Sequence, residues 1–464
     1  MKKFLLASAF VMLPLLAVAA SSEVVPVSAQ EKLMITIYNQ NRALIKDVRS
    51  VDLTKGLNKI VFEDISNEVM PETVLLTGSG VKVLEQNFNF DLLSYDSLMQ
   101  KAVGQTVTVE YVNPATGQVS TNSAELLAFN DLRPVLKIGD KIEANYPGRV
   151  IFNKVPENLA AKPQLVFDLD SQVAQKENVE IAYLSTGLSW NADYVVDLNE
   201  QAGKMNLNAL VTLTNNTAVS YKNASLQLVA GDVNITQRPT RMYKNEMVMM
   251  ARAVSMDSAV EAESVAGYYL YTLKRPTDIL SHQTKQVSLL SGSDVGVSKT
   301  YEYTSSLNFE GGAEFKNAKP AMFLSFKNTA ENGLGEALPK GTVRVYQKSA
   351  AGQQIFVGED SINHTAKNQE VRLRLGEDFD ITIAGQRTQY QKLGSKTAQA
   401  SFEVKVSNAK PTKVTVRVAQ YLPNGWKILS ESLKSQKQNS NMIYWNVEVP
   451  AESATTVTYK ILVQ

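Results

Sequence analysis

The sequence predicts a mainly β protein: several antiparallel β-sandwich and small-barrel modules in tandem, with one or two short helices. Three observations predict it. Apolar residues recur with a period of two along most of the chain, as in Val107, Val109 and Tyr111; Val371, Leu373 and Leu375; Phe402, Val404 and Val406; and Val414, Val416 and Val418. Such alternation puts one face of a strand in a core and the other in water, as in antiparallel sheets. Turn formers separate these runs at Asn113–Gly117, Asn215-Asn216, Ala350–Gly352 and Pro423–Gly425. Helical spacing is confined to two short stretches, and many short strands with close turns read as sandwiches or barrels.

In chain order, residues 1–20 read as a signal peptide. Lys2 and Lys3 form a positive start, and the apolar run Phe4–Val18 is too short for a stable membrane span. Small residues at 17–20 then offer a cleavage site near Ala19 or Ala20, with no cysteine behind them for lipid attachment. No later window is apolar enough for a transmembrane anchor, so the expected location is periplasmic or secreted. Residues 21–30 read as a loose lead-in. Residues 31–104 form an N-terminal β region with a short helix within Asp91–Val103, capped by Asp91 or Ser94 and stopped at Gly104. Residues 105–160 hold closely spaced short strands, which suggests a small SH3-like or OB-like barrel. Residues 165–395 form a central β-sandwich region carrying an inserted Met-rich segment, 236–266. Residues 396–464 are long enough for an immunoglobulin-like sandwich with Trp426 and Trp445 in or near its core.

Composition removes several function classes. There is no cysteine, hence no disulfide, thiol nucleophile, Cys-based zinc site or iron–sulfur cluster. Lysine and arginine number 47 against 46 acidic residues, so the chain lacks the positive excess of a nucleic-acid binder. Only His282 and His364 are available for imidazole chemistry. Ser281 and His282 are neighbours and point to opposite faces of an extended chain. Ser361 and His364 could meet across a turn with Asp360 as orienter, but a polar hairpin turn is the favoured reading. No nucleophile elbow, zinc-protease helix, Walker loop or dinucleotide fingerprint is present. Asp168 and Asp170 share one strand face at roughly 6.5–7 Å, and Glu377, Asp378 and Asp380 cluster after Gly376. Either group offers hard oxygens for calcium or an acid pair for glycoside cleavage, against a plain reading as solvated carboxylates.

Three passages share a cadence of strand, asparagine turn and strand: 211–229, 322–347 and 402–421. They read either as repeated sandwich modules or as asparagine tolerating turn geometry.

Ordered blocks then carry a family resemblance. They are Ala182-Tyr183-Leu184-Ser185-Thr186-Gly187-Leu188-Ser189-Trp190-Asn191-Ala192-Asp193-Tyr194; Thr212–Asn216 with Leu226–Asn234; and Gly341–Tyr346, Phe356–Asp360 and Ile362–Thr365. Over roughly 175–464 the chain resembles a bacterial exported domain-of-unknown-function family related to mucoidy inhibitor A-like proteins. The resemblance implies an exported, mostly β protein and no activity or cofactor; the family label hints at exopolysaccharide or envelope biology. Within the first block, Trp190 and Tyr194 fall on one strand face, as core aromatics or as a sugar platform.

Two functions follow. One is a non-enzymatic envelope protein that binds a protein or glycan partner. The other is a polysaccharide hydrolase using a carboxylate pair. The His-poor, Cys-free, motif-free sequence favours the first. The partner-docking candidates are Met242, Met247, Met249 and Met250, because adaptable thioether side chains suit varied partners. Copper(I) capture by the same sulfurs is the sharper alternative, and an inert linker the blander one.

Overall fold

A computed structural model describes residues 21–89, 92–155, 159–231, 260–265, 267–305, 307–310 and 314–463. Strand makes up 65 % and helix 4 %, in several separate sheets with no closed barrel. Residues 1–20 and most of the Met-rich segment 236–266, including Met242, Met247, Met249 and Met250, lie outside the described residues.

The largest core lies among three sheets. An eight-stranded sheet has the order Val260–Val265, Tyr268–Leu273, Tyr221–Ala230, Gln30–Tyr38, Arg42–Asp52, Lys176–Ser185 and Leu75–Thr77, with Thr277–Ile279 also paired to Tyr221–Ala230. A ten-stranded sheet runs Gln354–Ile362, Gly341–Lys348, Leu188–Asn199, Lys204–Asn215, Gln283–Ser305, Val414–Tyr421, Met442–Val449 and Gln436–Asn439, with Ala321–Lys327 and Glu370–Glu377 branching from Gln283–Ser305. A four-stranded sheet of Ser21–Val25, Gly56–Phe62, Gln164–Ser171 and Val81–Asn89 completes the set. Alternating apolar residues from all three, among them Ile35, Ile45, Phe62, Phe167, Trp190 and Val211, form one buried cluster. Thr186-Gly187 turns the chain from the eight-stranded into the ten-stranded sheet. Gly187 has φ +83°, and a Cβ there would meet the Thr217 methyl at 2.7 Å, so only glycine fits without strain.

The lead-in is more ordered than its sequence suggests. Ser21–Val25 pairs in parallel with Gly56–Phe62, and the Val25 carbonyl accepts from the buried guanidinium of Arg49 at 2.8 Å. Arg49 also donates to Glu63 O and is paired with buried Asp47 at 2.8 Å, so its charge is fully satisfied between two sheets.

The small module is an insertion. Val81–Asn89 and Gln164–Ser171 are antiparallel neighbours in the four-stranded sheet, and the chain between them forms its own five-stranded sheet in the order Lys141–Glu143, Arg133–Ile138, Val119–Asn130, Thr106–Val112 and Arg149–Ile151. A barrel was expected here. The sheet stays open because Lys141–Glu143 and Arg149–Ile151 end as opposite edges and do not pair. The helix is Tyr95–Lys101, capped by Ser94, whose side chain accepts from Ser97 N. Its Met99, with Ala102, packs on Val107, Leu126 and Leu136 in a separate small core, so the helix belongs with this sheet and not with the strands before it.

The C-terminal strands pack as a sandwich. Glu314–Ala318, Ile381–Lys392, Ala398–Asn408, Ser453–Val463 and Trp426–Glu431 form one layer. The far end of the ten-stranded sheet forms the other. Trp445 is 1 % exposed and meets Tyr459 from the opposite layer at 4.5 Å, and Trp426 packs at the margin. Half of this sandwich comes from strands before residue 396.

Candidate functional site

The residues singled out by sequence do not assemble into one site. Trp190 and Tyr194 are core aromatics, 1 % and 0 % exposed. Trp190 meets Tyr271 edge-on at 6.4 Å, and the Tyr194 hydroxyl donates to Pro339 O at 2.6 Å. Burial on both counts removes the sugar-platform reading.

Asp360 does not orient His364. Its two carboxylate oxygens accept from the backbone N–H of Ser361 at 2.8 Å and of Arg374 at 2.7 Å. His364 Nδ1 accepts from Lys340 N at 3.2 Å. His282 sits in a left-handed turn at φ 52°, beside a Ser281 hydroxyl that donates to Thr217 O. Ser361 lies in the strand Gln354–Ile362, paired opposite Thr342, and neither serine is bonded to its neighbouring histidine.

The two acidic groups also separate. Asp168 and Asp170 lie on the outer face of the four-stranded sheet, where Asp168 stands beside Lys59 on one side and Glu85 on the other. The cluster after Gly376 is already neutralised by a cation. Lys410 Nζ lies 2.9 Å from Asp378 and 3.6 Å from Asp380, and Asp378 also accepts from Asp380 N at 3.0 Å. Burial is the largest influence on this ammonium and works against it, but the hydrogen bond to Asp378 and the charges of Tyr301 and Asp378 together outweigh it and its pKa is raised. Burial pushes the neighbouring Tyr301 phenol up to about 12, against the influence of Lys410 and with that of Asp378 and Glu200. Among the described residues no group of three or more His, Asp or Glu side chains is placed to hold a metal.

The geometry that sequence reading missed is an open polar cleft of about 780 Å³ at one end of the ten-stranded sheet. Three elements build it. The first is the hairpin between Leu188–Asn199 and Lys204–Asn215, whose turn is held by Asn199 Oδ1 accepting from Ala202 N at 3.2 Å, with Gly203 at φ 61°. The second is a bulge in Gln283–Ser305. The pairing slips between Met205 and Leu207, and Asp294, at φ 55°, donates its N–H to Asn206 Oδ1 at 3.1 Å. Bulges of this kind re-aim side chains at the end of a sheet. The third is the turn after Gly341–Lys348, with Gln347, Lys348 and Ser349 on the cleft wall.

The lining carries balanced charge. Asp197, Glu200 and Asp294 stand with Lys204 and Lys348. Glu200 is bonded to Lys299 Nζ at 2.8 Å and to Gln347 Nε2 at 3.4 Å, and Lys204 lies 3.7 Å from Asp294. A second groove of about 490 Å³ is lined by Gly203 together with Gly296–Ser298, Ser325–Lys327 and Asn332. The only sequence signal for the cleft was the Asn199–Gly203 turn, because its three walls are far apart in the chain.

No curated protein matches the chain. Residues 179–464, well over half of its length, match a domain family described as a domain of unknown function, DUF4139, and the chain belongs to that family.

Proposed function

We propose that this is an exported, non-enzymatic protein of the bacterial envelope that binds a protein or glycan partner. One observation carries the reading. Among the described residues, Asp360, Asp378 and Lys410 are engaged in the protein's own backbone contacts and ion pairs, while a concavity of about 780 Å³ is a polar cleft walled by amides and by charges of both signs. That arrangement suits recognition more than bond cleavage, which needs a nucleophile or an acid pair facing a bound substrate. The charged start, short apolar run and small residues of 1–20 support export. The resemblance to proteins related to mucoidy inhibitor A supports an envelope role. Met242, Met247, Met249 and Met250 remain the proposed docking element of the 236–266 segment.

The test is a pull-down from the native envelope with the leaderless protein, scoring bound protein and bound glycan separately. Saturable recovery of either is expected, reduced when 240–258 is deleted, a cut that spares the strand Val260–Val265, and with the melting temperature almost unchanged. Release of shortened polysaccharide by the protein would replace this reading with the hydrolase. Unchanged recovery after the deletion would reduce the methionine segment to a linker.

A further inference from the structure

We propose that the 780 Å³ cleft is a binding site for an uncharged, hydroxyl-rich oligosaccharide. This rests on the binding-protein reading and names the ligand class and the place.

The lining decides the class. An apolar ligand would strand the amides and charges of Asn199, Gln201, Asn206 and Gln347 without partners, and unpaired buried polar groups are strongly unfavourable. A strongly charged ligand finds no net field, because the three carboxylates are matched by Lys204, Lys348 and the Glu200-bound Lys299. A neutral polyol satisfies both signs. Its hydroxyls donate to Asp197 and Asp294 and accept from the lysines and side-chain amides, and charge-assisted hydrogen bonds of this kind are the stronger ones. The volume of about 780 Å³ lies within the range of small-ligand sites.

The walls are already in place. The turn at Asn199–Gly203, the bulge at Asp294 and the turn at Lys348–Ser349 are anchored in adjacent strands of one sheet, so their polar groups are held before a ligand arrives. The adjoining 490 Å³ groove beyond Gly203 gives an elongated ligand somewhere to continue.

The experiment uses the full chain without its leader. Calorimetric titration is run with a panel of neutral oligosaccharides (glucans, mannans, galactans and N-acetylhexosamine oligomers) and with anionic uronate oligomers as the contrast. At least one neutral oligosaccharide should bind. Asp197→Ala and Gln201→Ala, at lining residues that do not hold the bulge, should each weaken it about tenfold, the loss expected for one hydrogen bond to a charged or well-held group, with unchanged melting temperatures. Binding that the two variants leave untouched overturns the cleft assignment and leaves a glycan-binding protein. Preference for the uronates overturns the ligand class. No glycan binding together with saturable protein capture overturns this inference and keeps the broader reading, whereas loss of both glycan and protein capture overturns the two together.

Discussion

Asn215, Asn328 and Asn408 do the same work at three places. Each ends or follows a strand and each is almost completely buried. The Asn215 amide donates to Val219 O at 2.8 Å and Leu280 O at 3.0 Å, and its oxygen accepts from Thr217 N at 3.0 Å. Asn408 donates to Thr412 O at 2.9 Å and Pro450 O at 3.0 Å and accepts from Lys410 N at 3.0 Å. Asn328 donates to Glu336 O and Ala366 O and accepts from Gly335 N. None of the three has a left-handed backbone. The recurring cadence therefore reflects a buried clasp, tying a loop to a distant strand end, and not tolerance of turn geometry. Asn408→Ala would leave two carbonyls and one N–H without their partner. We expect a loss of about 2–5 kcal/mol in denaturant unfolding, since each stranded group costs about 1–3 kcal/mol. Asn408→Asp should not rescue it, because a carboxylate cannot donate to those carbonyls. Two tyrosines set an alkaline limit at the same scale. Burial raises the phenols of Tyr221 and Tyr301 to about 12 from 10.0. The unfolded chain releases these protons near pH 10 and the folded one only near 12, so their contribution to stability is intact below pH 10 and is lost as pH rises from 10 to 12. Urea midpoints measured across pH 8–12 should fall over that window, and the double variant Tyr221→Phe, Tyr301→Phe should fall less. A flat wild-type profile would contradict this.

At the scale of elements, the strand Gln283–Ser305 couples the molecule. Its first half pairs with Lys204–Asn215, and its second half with Ala321–Lys327 and Val414–Tyr421. The change of partner falls at Gly296. There the side chain of Asn332 accepts from Gly296 N at 2.7 Å and donates to Gly296 O at 3.2 Å, standing in for a missing strand neighbour. A side chain on Gly296 would come within 2.9 Å of that amide. Because one strand contributes to both cores, the two should unfold together. Single-tryptophan variants test this by fluorescence. One keeps only Trp190 in the central core and the other only Trp445 in the C-terminal core. Coincident denaturation midpoints and slopes are expected, and two separated transitions would show that the sandwiches are independent.

At the scale of the whole molecule, the family domain and the folding unit differ. The matched segment begins at residue 179, yet Gln30–Tyr38 and Arg42–Asp52 are interior strands of its eight-stranded sheet, lying between Tyr221–Ala230 and Lys176–Ser185. Ile35, Ile37 and Ile45 on those strands are 0–1 % exposed. A 179–464 fragment would bare that core and two strand edges, so it should be insoluble or unfolded by circular dichroism. The insertion behaves oppositely. Residues 92–160 have their own small core and leave from adjacent strand ends, with Asn89 opposite Gln164. Replacing 92–160 with a short Gly/Ser linker should leave a folded protein whose melting temperature moves by only a few degrees. Collapse of that variant would show that the insertion supports the main core.

The sequence by itself determined the β class, the position of the short helix and the inward face of the alternating strands around Val107, Val371, Phe402 and Val414. Those depend on local alternation, and Trp190, Tyr194 and Trp445 are buried where their spacing put them. It also marked the three asparagines, though not their role, because a clasp to Leu280, Ala366 or Pro450 is invisible until the chain folds back. Tertiary structure decided the rest. A single strand passes through Gly292 and Gly296 because neighbours on either side supply its hydrogen bonds. The acidic cluster after Gly376 read as solvated carboxylates with calcium as an alternative, and the structure brings Lys410, some thirty residues on, against Asp378 and Asp380. The polar cleft has walls from residues near 200, 294 and 348. Period and turn chemistry act over a few residues, whereas strand order, charge pairing and concavity arise from contacts between segments that the sequence keeps far apart.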